Sequence, residues 1–179
     1  MSLPLFIGID LPSGVSERLA GLGGGVPGAR WVPAENMHVT LRYIGDVDGT
    51  MADDIATGLA QIGGTPFEIA VEGVDRFGGK NDTRVIYAGV VPREPLKHLR
   101  DKIETMLQRL GMQADERRYT PHVTLARLKR APQDRVGRFL EHHGMLMTER
   151  FEVRQFHLYA SMRGHDGAVY RIEHSYPLG

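Results

Sequence analysis

The sequence predicts an α+β fold: two similar lobes of antiparallel sheet with outer helices and a central cleft. Three observations predict it. The string His-Val-Thr-Leu occurs twice, at 38–41 and at 122–125. Each half of the chain sets that string on a short strand beside helices and a β-hairpin. Helix-period segments alternate with hairpins, so antiparallel pairing is more economical than a doubly wound parallel sheet. The 179 residues suffice for a single domain over residues 1–179 built of these two lobes.

Leu5–Asp10 is an apolar run stopped by Pro12, too short for a helix, and reads as a buried strand. Ser13 is placed to cap a helix over residues 13–22 with Val15, Leu19 and Leu22 on one face. Gly23-Gly24-Gly25-Val26-Pro27-Gly28 matches G-x-G-x-x-G formally. Its glycines follow a helix instead of a strand, and Pro27 stands where the next helix would begin, so it reads as a connector and not a dinucleotide site. Residues 30–33 and 36–44 are extended and carry the first copy of the string. Asp48 or Thr50 starts a helix in which Met51, Ile55, Leu59 and Ile62 repeat at helical spacing.

Alternation at Phe67, Ile69 and Val71 gives a strand over 67–77, with 83–91 as its partner across the turn Gly78-Gly79-Lys80-Asn81-Asp82. After Pro92, Leu96, Leu99, Ile103, Met106, Leu107 and Leu110 mark the clearest amphipathic helix, stopped by Gly111. Residues 119–127 carry the second copy on a strand. Pro132 opens a shorter helix with Val136, Phe139 and Leu140 inward, closing at Gly144. Residues 151–162 and 168–176 read as two strands joined by the turn Gly164-His165-Asp166-Gly167.

Lys+Arg and Asp+Glu both number 22, so no overall field steers the protein towards duplex nucleic acid or an acidic membrane. Any anionic ligand must be held locally. The absence of cysteine excludes disulfides, thiolate catalysis and cysteine-based zinc sites, and suits a reducing cytoplasm. The start, residues 1–10, lacks a basic n-region, and its apolar run is cut at Asp10. No later stretch is long enough and uncharged enough to cross a bilayer. The expectation is a cytoplasmic monomer with no membrane partner.

On a strand, side chains alternate faces, so His38 and Thr40 point one way and Val39, Leu41 and Tyr43 the other. The same rule pairs His122 with Thr124 against Val123 and Leu125. It also sets Arg42 on the His38 face, where its counterpart is Ala126. Two imidazoles across a cleft form a base and acid pair near neutral pH, and the threonine hydroxyls can donate to the oxygens of an anion between them. A phosphodiester is the most economical substrate. One imidazole deprotonates a water while the other protonates the departing sugar oxygen, with no metal and no other cofactor. A zinc site fits less well, because threonine, a poor ligand, fills the second position of each string.

The stretches 5–12, 30–45 and 121–127, with Leu158-Tyr159-Ala160-Ser161, resemble the two-histidine (2H) phosphoesterases. Among these the similarity is to the bacterial and archaeal RNA 2′,3′-cyclic phosphodiesterases, also called 2′-5′ RNA ligases. The resemblance implies hydrolysis of a 2′,3′-cyclic phosphate at an RNA end or nucleotide to a 2′-phosphate, and a capacity for the reverse joining of RNA halves. It makes His38 and His122 the catalytic pair, with His38 as acid and His122 as base for a 2′-phosphate product, or the two exchanged, as the pseudo-symmetry of the two strings allows. Thr40, Thr124 and Arg127 then hold the phosphate, although simple alternation puts Arg127 on the wrong face unless a bulge or the strand's end intervenes.

Phe6 matches an aromatic of that family's first strand, to stack on a base or to pack in the core. Arg42 either contacts RNA phosphate or lines the rim. Tyr159, sharing a strand face with His157, borders the cleft or is simply packed. Gly8, where relatives often carry alanine, suggests closer packing. His142, His143 and His165 are expected in solvent. Arg117, Arg118, Lys129 and Arg130 bracket the second string, either as a local basic lip for single-stranded RNA or as an ordinary surface cluster. Two other readings stand beside the enzyme: a non-catalytic nucleotide or RNA binding module, and a cyclic phosphodiesterase for a small non-RNA nucleotide.

Overall fold

The two strands that carry the repeated string lie side by side in the middle of the molecule. The computed structural model describes residues 4–79, 81–165 and 167–179; residues 1–3, and Lys80 and Asp166 of the two expected turns, lie outside them. The chain begins with β1 (Leu5–Asp10), α1 (Ser13–Ala20), β2 (Arg30–Trp31), a 3-10 turn (Ala34–Asn36), β3 (His38–Gly45) and α2 (Gly49–Leu59). It continues through β4 (Phe67–Gly79), β5 (Asp82–Val91), α3 (Glu94–Arg109), β6 (His122–Arg127) and α4 (Gln133–His142). It ends with β7 (Phe151–Val153), β8 (Gln155–Gly164) and β9 (Gly167–Pro177).

Among the described residues nine strands form one sheet in the order β7-β4-β5-β6-β3-β1-β8-β9, with β2 added on β6. Its neighbouring strands run antiparallel. The α+β expectation holds, with one change. The β4–β5 hairpin follows the first string in sequence but pairs with β6, which carries the second. The β8–β9 hairpin follows the second string but pairs with β1, beside the first. Each hairpin is thus built into the other string's half of the sheet.

Helix boundaries follow local chemistry. Asp48 caps α2, accepting from the Met51 N–H at 2.8 Å. The expected Ser13 cap is corrected. Pro12 is the N-cap residue, its carbonyl accepting from the Val15 and Ser16 N–H groups, and Ser13 is already inside the helix. Gly111, at φ +93°, ends α3 in the left-handed conformation that glycine adopts at little cost. The run 151–162, expected as one strand, is broken into β7 and β8 at Arg154.

One face of the sheet packs against the helices. Ile7, Ile9, Val39, Leu41, Val123, Leu125 and Ile86 meet Leu19, Ile55, Leu59, Leu96, Ile103, Leu107 and Val136 in one buried cluster. Each such side chain contributes roughly 1.5–3 kcal/mol on burial. Among the described residues no helix is long and apolar enough to cross a membrane.

Candidate active site

β3 and β6 pair at Val39 and Val123, the central residues of the two strings. One step either way in that antiparallel register sets His38 across from Thr124, and Thr40 across from His122, all four on the face away from the helices. They line a cleft of about 700 Å³ together with Arg127.

Each imidazole is oriented by the backbone just before its strand. His38 Nδ1 bonds the Asn36 carbonyl at 2.8 Å, and His122 Nδ1 bonds the Thr120 carbonyl at 2.7 Å. A carbonyl only accepts, so Nδ1 carries the proton in both rings and Nε2 is left for chemistry. His38 Nε2 lies 3.0 Å from the Thr40 hydroxyl. Burial pushes the affinity of both imidazoles for a second proton below the ordinary histidine value. The carbonyls partly oppose this, and the Arg127 charge adds to it; at His38 the charge of His122 does so too.

A bulge at the same place in both strings sets the direction of the side chains beyond it. β1 pairs Ile7 with Arg42 but Gly8 with Thr40, leaving Leu41 as an extra residue. β5 pairs Ile86 with Ala126 but Tyr87 with Thr124, leaving Leu125 extra. Each extra residue reverses the alternation after it. Arg127 thereby turns into the cleft, resolving the conflict with simple alternation, and no hydrogen bond among the described residues ties it down.

The same bulge corrects the faces expected for Arg42 and Tyr43. Arg42 turns towards α3, where it pairs with Glu104 and also donates to the carbonyls of Tyr43 and, at 2.7 Å, Gln113. It borders the far corner of the cleft, with Nε and both terminal nitrogens engaged, and ties β3 to α3. Tyr43 turns to the cleft, 52% exposed. Tyr43 and Arg127 are therefore counterparts in the two halves.

Phe6 and Tyr159 stack on each other at 4.7 Å between ring centroids, and Phe6 packs on His38 at 4.8 Å. With 4% and 6% of their surface exposed, they leave no open ring face for a base; they hold His38 in place. Gly8 makes this packing possible, since a Cβ there would stand 2.8 Å from the Val39 carbonyl oxygen and against Tyr159 and His38. Rings that sequence reasoning missed are Tyr170, edge-on to His38 at 5.3 Å, and Phe77, edge-on to His122 at 4.9 Å. Both come from hairpin strands, and nothing local in the sequence announces their partners.

His157 is buried, bonded to Asp10 and Ser175 at 2.8 Å each, and is not among the residues lining the cleft. His142 and His165 are exposed as expected, but His143 is half-buried against Phe139. Among the described residues His, Asp and Glu side chains nowhere gather in a group of three able to hold a metal ion.

A family model described as the 2′-5′ RNA ligase superfamily matches residues 16–165. The RNA 2′,3′-cyclic phosphodiesterase of Archaeoglobus fulgidus is 28% identical over 170 residues, covering 93% of this chain and 96% of its own. That of Aeropyrum pernix is 33% identical over 149 residues, covering 82% and 84%. In fold, the chain is similar to a crystal structure of a phosphoesterase at TM-score 0.82, 22% identical, over 99% of both chains. It is likewise similar to E. coli LigT complexed with 3′-AMP, at TM-score 0.79 and 23% identity over 99% of both. A family match over most of the chain, and relatives alike over nearly their whole length, agree with the paired strings at the centre of the sheet: the chain belongs to the 2′-5′ RNA ligase superfamily.

Proposed function

We propose that the protein hydrolyses the 2′,3′-cyclic phosphate of an RNA end or nucleotide to a 2′-phosphate, without a metal. The observation that carries the reading is the pair of Nδ1-anchored imidazoles, each with a threonine hydroxyl, facing one cleft with Arg127. The relatives named as RNA 2′,3′-cyclic phosphodiesterases support the substrate class.

His122 Nε2 takes a proton from water as its oxygen attacks phosphorus. The bond from phosphorus to the 3′ oxygen breaks in line, and His38 gives its Nε2 proton to that oxygen. The products are a 2′-phosphate and a free 3′-hydroxyl, and the two imidazoles have exchanged protonation states. Thr40, Thr124 and Arg127 bind the non-bridging oxygens as charge builds on them. An RNA 5′-hydroxyl in the place of water would give a 2′-5′ linkage through the same steps.

Each acid or base supplies about 10²- to 10⁴-fold in rate, so His38→Ala and His122→Ala should each lose at least about 100-fold in kcat with the fold kept. The deciding assay is turnover of 2′,3′-cyclic AMP under exhaustive chelation, with the product resolved as 2′- or 3′-phosphate. Formation of 2′-AMP supports the reading. Tight binding without turnover, on this substrate and on a short RNA bearing the cyclic phosphate, would make the protein a binding module.

A further inference from the structure

The catalytic and phosphate-binding residues occupy only part of the cleft. Its far corner, beyond the end of β3, is lined by Arg100 of α3 and by Asp115, Arg117 and Arg118 of the loop before β6. The reaction at the cyclic phosphate uses none of them. Tyr119 joins the two regions. Its hydroxyl donates to the Thr40 carbonyl at 2.9 Å, and the Arg100 guanidinium lies over its ring, 5.4 Å from the centroid.

The charges at this corner are not balanced. Arg42 is neutralised by Glu104, and Arg117 by Asp115, which it grips through two nitrogens at 3.0 and 3.1 Å. That pairing holds the Asp115 carboxyl well below the usual range, at about 2, so the aspartate stays ionised and engaged. Arg118 is left over, and Arg100 has only the largely exposed Asp101 as a distant carboxylate partner. Arg118 is exposed and makes no hydrogen bond or ion pair among the described residues. Arg100 donates to the Asp115 backbone carbonyl at 3.0 Å and lies 3.9 Å from the largely exposed Asp101. Its Nε is, among the described residues, the one buried side-chain nitrogen or oxygen with no partner. The Arg100 guanidinium and the exposed Arg118 both line the cleft, and a phosphate oxygen is the acceptor that suits a guanidinium best.

We infer that this corner is a second anion subsite that takes the phosphodiester immediately 5′ of the reacting nucleotide, making an RNA end a better substrate than a cyclic mononucleotide. The inference rests on the cyclic phosphodiesterase reading and adds a determinant of substrate length to it. The nucleoside then lies between the two anion sites, along the wall that carries Tyr43 and Tyr170.

The test compares 2′,3′-cyclic AMP with the dinucleotide ApA ending in a 2′,3′-cyclic phosphate. In the wild type the dinucleotide kcat/KM should be higher by about tenfold or more, the effect of one charge-assisted hydrogen bond, chiefly through KM. That advantage should shrink as salt rises. Arg118→Ala and Arg100→Gln should each pull the dinucleotide value towards that of the mononucleotide, without moving the mononucleotide value. Equal wild-type efficiency on both substrates, or an equal loss on both in the Arg118→Ala protein, would overturn the subsite and leave the phosphodiesterase reading standing. Turnover of neither substrate would overturn that reading and the subsite with it. Should Arg100→Gln fail to fold, the exposed Arg118 decides the matter alone.

Discussion

An imidazole held in a half-closed cleft resists a positive charge, and the proposed reaction needs one proton shared between two such rings. Burial depresses the proton affinity of His38 and His122, and the positive charge of Arg127 adds to the effect. The kcat/KM profile should therefore be a bell whose alkaline limb lies below the ordinary imidazole value of about 6.5, with the acidic limb lower still. An alkaline limb above about 7 would contradict this account. Arg127→Met removes a cation that opposes imidazolium, so both limbs should move to higher pH while KM rises. Stability has a definite sign as well. The unfolded chain takes up protons at these histidines before the folded one does. Stability present above about pH 6.5 is lost as pH falls through the folded-state values. Melting temperature against pH should fall less steeply on that flank in the His38→Ala/His122→Ala double variant than in the wild type.

At the scale of the element, one buried ion pair ties β3 to α3. Glu104 of α3 holds Arg42, and Arg42 in turn holds the Gln113 carbonyl of the loop leading to His122. Glu104→Ala leaves a buried guanidinium uncompensated and should cost about 3–5 kcal/mol in denaturant unfolding. Arg42→Met with Glu104→Leu should recover most of that, because the desolvation cost goes with both charges. A double variant as unstable as the single one would mean that the pair is worth its Coulomb energy after all. This arrangement was closed to sequence reasoning, since Glu104 lies far along the chain on another element. Period-two alternation found His38 with Thr40 and His122 with Thr124, because those residues precede the bulges. It failed at Arg42 and Tyr43, because Leu41 is an ordinary strand residue and nothing marks it as the one left unpaired. Only the misplaced charge at Arg127 hinted at a bulge. Ser13 had the composition of a cap, but Pro12 supplies the terminal carbonyl one residue earlier. The hairpins were legible as hairpins. Which half each joins depends on strand neighbours that local pattern does not encode.

Across the whole molecule, the sheet places two equivalent histidine-threonine units about the Val39 and Val123 contact, and their surroundings make them unequal. Where the His122 half offers the Arg127 guanidinium, the His38 half offers the Tyr43 ring, with Tyr170 edge-on to His38. A nucleoside settles against rings, and the phosphate against the cation. In the proposed reaction the ribose oxygens then lie on the His38 side and the attacking water comes from the His122 side. A substrate with sulfur in place of the bridging 3′ oxygen separates the roles, because a thiolate, whose acid has a pKa of about 8.5, leaves without needing a proton. On that substrate His38→Ala should regain most of its lost rate, whereas His122→Ala should stay as impaired as on the oxygen substrate, since water still needs its base. Rescue of His122→Ala instead would exchange the two roles and move the nucleoside to the Phe77 side. Rescue of neither would mean that the pair does not divide the work as acid and base.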